Sequence, residues 1–87
     1  MTGQSALTFP CRFPIKVMGE NSDGFLEEIV VLARRHIPDL GEGAVSTTPS
    51  RTAKYLSVTI TFTARSRDQL DNLYRAMHAH PKVRMVL

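Results

Sequence analysis

Residues 55–64 read Tyr55-Leu56-Ser57-Val58-Thr59-Ile60-Thr61-Phe62-Thr63-Ala64, and their alternation decides the fold. Leu56, Val58, Ile60, Phe62 and Ala64 fall on one side; Tyr55, Ser57, Thr59, Thr61 and Thr63 fall on the other. A period of two marks a β-strand with one buried and one polar side. The wealth of β-branched residues agrees with that pattern. A strand this long belongs in the interior of its sheet.

Downstream, Ser66-Arg67-Asp68-Gln69 has the capping-box spacing, with Ser66 and Gln69 expected to serve each other's N–H groups. Leu70, Leu73, Tyr74 and Met77 follow at i, i+3, i+4 and i+7, which predicts an amphipathic helix ended by His80-Pro81. Val83, Met85 and Leu87 then alternate with Arg84 and Val86 in a closing strand. Upstream, Ala44 to Thr48 reads as a short strand and Pro49-Ser50-Arg51-Thr52 as the hairpin turn that follows it.

In the first half, Phe13, Ile15 and Val17 alternate with Arg12, Pro14, Lys16 and Met18 as an opening strand. Pro14 has no N–H to give, so the ladder should be open or interrupted there. The turn Gly19-Glu20-Asn21-Ser22-Asp23-Gly24 leads into a helix from about Asp23 to His36, with Asn21 or Ser22 as its expected N-cap. Phe25, Leu26, Ile29, Val30, Leu32, Ala33 and Ile37 form the apolar stripe of that helix. Acids in its first half and bases in its last turn suit the helix dipole, and Pro38 stops it. The resulting order, β-α-β-β-α-β, predicts an α+β ferredoxin-like domain: four antiparallel strands, the first and third central, with two helices on one face.

The chain has 87 residues, enough for one domain with a modest core. The expected layout is a disordered lead-in over residues 1–8 and a single domain over 9–87. No apolar run nears the roughly 20 residues a membrane helix needs, and Met1 to Thr8 lacks the form of a secretory signal. The expectation is therefore a cytoplasmic protein with no membrane partner. A net charge of +3 permits an acidic partner without demanding one. Cys11 is the sole cysteine, which excludes an internal disulfide or a cysteine-based metal cluster.

No catalytic constellation emerges. His36, His78 and His80 lack metal-site spacing, and the last two are explained by the dipole at a helix C-terminus. No serine or threonine has a paired base or sits in a nucleophile elbow. Asp39 and Glu42 share a loop without an apolar pocket to raise a pKa. The sequence is thus read as non-enzymatic, with no cofactor and no metal.

Two surfaces remain. The polar sheet face should carry Arg12, Lys16, Tyr55, Ser57, Thr59, Thr61, Thr63 and Arg84. RNA-binding domains of this topology use such a face, but with stacking aromatics on the central strands, where this chain has threonines. Weak RNA binding is the alternative reading; self-association or docking on a protein fits a threonine-rich face better. The second surface is the turn from Gly19 to Gly24, whose N–H groups at a helix start could hold a carboxylate or phosphate, although Glu20 and Asp23 oppose an anion.

From about Phe9 to the end the chain resembles the YbeD-like family of small bacterial proteins of unknown function. The matching pieces are Phe9-Pro10, Lys16-Val17-Met18-Gly19, Arg35-His36 before Pro38, Pro49-Ser50, Tyr55 with Ser57-Val58, and Val83-Arg84-Met85-Val86-Leu87. The segment before Phe9 lies outside the resemblance. The resemblance implies a ferredoxin-like fold similar to ACT regulatory domains, which bind amino acids or related molecules near the turn after the first strand, usually between paired domains; carried onto this chain, that implies Gly19, Glu20, Asn21 and Ser22 as the ligand-binding residues. It brings no established activity. The combined expectation is a regulatory or adaptor domain acting as a homodimer, on an unidentified protein partner, or on an amino acid or other small carboxylate.

Overall fold

In a computed structural model, which describes residues 7–87, the elements run β1 (Cys11–Glu20), α1 (Phe25–His36), a 3₁₀ turn (Glu42–Ala44), β2 (Val45–Pro49), β3 (Tyr55–Ala64), α2 (Arg67–Ala79) and β4 (Val83–Val86). The sheet order is β2-β3-β1-β4, every neighbour antiparallel. This is the ferredoxin-like arrangement, with β1 and β3 central.

β1 and β3 pair along their whole length, from Cys11 opposite Ala64 to Glu20 opposite Tyr55. The register places Ile15, Val17, Val58, Ile60, Phe62 and Ala64 on one side, all buried. The helices close over them with Phe25, Ile29 and Ala33 from α1 and Leu70, Leu73 and Met77 from α2. Leu26, assigned to the stripe of α1 by periodicity, is exposed instead.

Pro14 sits in central β1 opposite Thr61. Lys16 exchanges both backbone bonds with Leu87 on the β4 side, and Pro14, two residues away, has the same parity. Its nitrogen therefore points toward the flank that β4 does not reach, where no donor is needed. The ladder is open there, as a proline requires.

The ends of the elements depart from the sequence reading. The N-cap of α1 is Gly24, with φ 84°, and it makes no side-chain cap hydrogen bond. Neither Asn21 nor Ser22 is the N-cap: the Asn21 amide donates to the Ala53 carbonyl, and the Ser22 carbonyl accepts from Phe25 N–H. At α2 half of the capping box forms. Ser66 Oγ accepts from Gln69 N–H at 3.1 Å, but Gln69 Oε1 accepts from Arg65 N–H at 2.7 Å rather than from Ser66. Gln69 Nε2 then donates to the His36 carbonyl, tying the start of α2 to the end of α1. Ala44 belongs to the 3₁₀ turn rather than β2. Leu7, within the expected lead-in, packs half-buried against the core and Thr8 is exposed; residues 1–6 of that segment lie outside the described residues.

Candidate functional site: the helix-free sheet face

Both helices lie on one side of the sheet, so the other side is open. β1 presents Arg12, Pro14, Lys16, Met18 and Glu20 there, opposite Thr63, Thr61, Thr59, Ser57 and Tyr55 of β3. Ser46 and Thr48 extend it on β2. The expected interaction residues Arg12, Lys16, Tyr55, Ser57 and Thr59 therefore share one surface.

The β4 edge differs from strict alternation. Val17 pairs with Val86 and Met18 with Met85, but Gly19 pairs with Val83, so the register shifts between Met18 and Gly19. One extra residue, Arg84, is accommodated on β4. The bulge turns Val83 and Val86 both toward the core and sends Met85 to the open face. Leu87, bonded to Lys16, follows Met85 there. Met85 is 48% and Leu87 62% exposed. Alternation alone would have put both beside Val83, on the buried side. The signal for the correction was Gly19 itself, since a glycine within a strand often marks a bulge.

Electrostatics sharpen the face. Arg84 donates to Glu20, which neutralises the pair. Arg12 and Lys16 are exposed and form no ion pair among the described residues. The face thus holds two cations outside any ion pair among the described residues: Lys16, bonded through its backbone to Leu87 and close to Met18 and Met85, and Arg12, four residues further along β1.

The turn after β1 is built differently. Gly19 is buried, and Glu20 still belongs to β1. The N–H of Glu20 bonds the Lys82 carbonyl at 3.3 Å, that of Asn21 the Lys54 carbonyl at 3.0 Å, and that of Ser22 the Glu20 carbonyl at 2.9 Å. These three donors, which an anion would have used, are committed to protein acceptors. The first two fasten the residues just ahead of β4 and β3 to the end of β1.

His80 completes that fastening, a role the sequence did not reveal. Its Nδ1 accepts from Lys82 N–H at 3.1 Å, which leaves Nε2 as the N–H donor to Glu28 Oε1 at 2.8 Å. The ring also stands edge-on to Phe25, with centroids 6.1 Å apart. Among the described residues, no three His, Cys, Asp or Glu side chains converge as metal ligands. Nor is any helix there long and apolar enough to cross a membrane.

The strand order, the two helices on one side and the open sheet face define a small domain of ACT-like fold. The chain belongs to the family described as "Protein of unknown function (DUF493)", whose model matches residues 4–87. That match begins ahead of Phe9 and so takes in part of the segment that lies outside the YbeD-like resemblance. A UPF0250 protein of Nitrosomonas europaea is 42% identical over 87 residues, covering 100% of both chains. A UPF0250 protein of Leptothrix cholodnii is 51% identical over 84 residues, covering 97% of this chain and 92% of the relative. Among solved structures, protein HP0495 from H. pylori superposes with a TM-score of 0.75 at 15% identity, over 100% of this chain and 94% of the other. The ACT domain from the GTP pyrophosphokinase of Chlorobium tepidum gives 0.70 at 14% identity, over 87% and 94%. At such identities the likeness concerns the fold.

Proposed function

We propose that this chain is a non-enzymatic adaptor or regulatory domain that docks a protein partner on its open sheet face. The observation that carries this reading is that Arg12 and Lys16, outside any ion pair among the described residues, share the helix-free face with the exposed side chains of Met85 and Leu87. Methionine adapts its shape to an apolar partner, and the flanking cations select for acidic groups around it. Arg84 contributes less charge than its sequence suggests, because Glu20 is bonded to it.

Small-ligand sensing at Gly19, Glu20, Asn21 and Ser22 ranks second, since a carboxylate there would have to displace the carbonyls that hold three of the N–H groups. RNA binding ranks lower again. Tyr55 is the one aromatic among the described residues of the face, and a stacking platform needs more than one.

The test compares wild-type protein with Arg12→Glu/Lys16→Glu in affinity capture, followed by titration of ¹⁵N-labelled protein with the captured partner. Docking on the face predicts a partner lost by the double variant and amide shifts at Lys16, Met18, Thr59 and Met85. Shifts confined to residues 19–24 with small carboxylates would replace this reading by ligand sensing. Shifts with short RNA that vanish steeply with added salt would replace it by nucleic-acid binding.

A further inference from the structure

The helix layer bears a second surface, independent of the sheet face. Glu27, Val31 and Arg35 stand four residues apart on α1 and form one outward line along it. Val31 is 53% exposed, although it lies at the middle of the helix. Glu27 and Arg35 enter no ion pair among the described residues, whereas neighbouring Glu28 is engaged by His80 at 2.8 Å and Lys82 at 3.8 Å. Beside the line runs an open groove of about 360 Å³ lined by Glu27, Glu28, Val31, Leu32, Arg35 and His80.

The line is symmetric about Val31: an acid one turn before it, a base one turn after. A two-fold axis through Val31, perpendicular to α1, would lay a second copy antiparallel on the first. Glu27 of each chain would then meet Arg35 of the other, and the two Val31 side chains would meet at the axis. An isologous contact requires such self-complementarity. The sheet face lacks it. Arg12 and Lys16 have the same sign, and Glu20, the acid among its described residues, is taken by Arg84.

We propose that α1 is the self-association surface of this protein and that its occupant is a second copy, packed antiparallel across Val31. Each dimer gains two opposite-charge contacts around a buried valine pair, and the two helix dipoles run in opposite senses, which adds a small favourable term.

Sedimentation equilibrium of wild type, Glu27→Arg, Arg35→Glu and an equimolar mixture of the two variants tests the proposal, from micromolar to millimolar concentration. Both positions are exposed, and a melting curve of each variant verifies its folding. The expected result is a wild-type dimer, with a dissociation constant about tenfold or more higher for either single variant, because each turns both contacts repulsive. The mixture should recover the dimer, since a chain with two bases then faces a chain with two acids. A wild type that stays monomeric at millimolar concentration overturns the proposal, as does a dimer indifferent to Glu27→Arg or a mixture that fails to recover it.

Discussion

The ring of Phe25 fills the space that a side chain on Gly19 would need. A Cβ built on Gly19 falls 2.5 Å from Phe25 Cζ and 2.5 Å from the Lys82 carbonyl oxygen. The first helical residue of α1 and the entry to β4 are thereby packed directly onto the backbone of β1. Gly19→Ala should destabilise the fold by about 1–3 kcal/mol, the range for an overpacked site, because the carbonyl cannot swing aside as a flexible side chain would. Gly41→Ala is the control: a Cβ built there meets nothing within 4 Å, and the φ of −86° suits any residue. That change should add about 0.4–1 kcal/mol by stiffening the unfolded chain. Urea denaturation of both variants reads the two signs.

Charge reversal on the open face should separate binding from folding. Arg12→Glu with Lys16→Glu removes no ion pair among the described residues, so the melting temperature should stay within the scatter of surface variants, about ±0.5 kcal/mol in stability. Partner binding should be lost. Arg84→Glu differs, because it sets two carboxylates against each other at Glu20. A modest loss of stability, up to about 1 kcal/mol, should accompany it. Thermal melts beside binding measurements distinguish the two cases.

The core and the cap set two scales of damage. Ile60 is fully buried between β1 and the helices, and Ile60→Ala should cost about 2–5 kcal/mol. Ser66→Ala removes the one side-chain cap found on α2 and should cost about 1 kcal/mol. Chemical denaturation of the pair gives the comparison. Equal losses would mean that the start of α2 matters through its link to His36 as well as through the cap.

Alkaline stability should report on Tyr74. Its ring packs edge-on to Phe13, with centroids 6.3 Å apart, and burial pushes its hydroxyl pKa above the ordinary tyrosine value of 10.0. Folding therefore disfavours the phenolate. The stabilising contribution is complete below the unfolded-state pKa and is lost as pH rises through the folded-state value. Tyr74→Phe should flatten that alkaline decline without changing stability near neutrality by more than its lost hydroxyl contacts. Denaturation midpoints measured across the alkaline range provide the check.

Much of this arrangement was legible in residue order. The alternation of residues 55–64 fixed the inner and outer faces of β3, and full pairing with β1 carried the same parity to Arg12 and Lys16. Periodicity 3.6 found both helices. What it could not supply was the change of parity on β4. A bulge depends on how two strands meet, and Gly19 was the single residue that hinted at it. The same limit hid His80, whose acceptor and donor roles join residues far apart in the chain, Glu28 and Lys82. Free N–H groups were expected at the turn after β1 because a glycine-rich helix start usually has them. Here the carbonyls of Lys54 and Lys82, just ahead of β3 and β4, accept from Asn21 and Glu20, and the Glu20 carbonyl accepts from Ser22.

Because both helices sit on one side of the sheet, the line Glu27-Val31-Arg35 and the surface of Lys16 and Met85 point in opposite directions. Neither occupant would shade the other. A pair of chains joined through α1 would have its two sheets turned outward, back to back, with four helices between them. Such a body has two identical heads. It could bridge two partner molecules, or hold one partner with repeated sites by avidity well beyond the strength of a single contact.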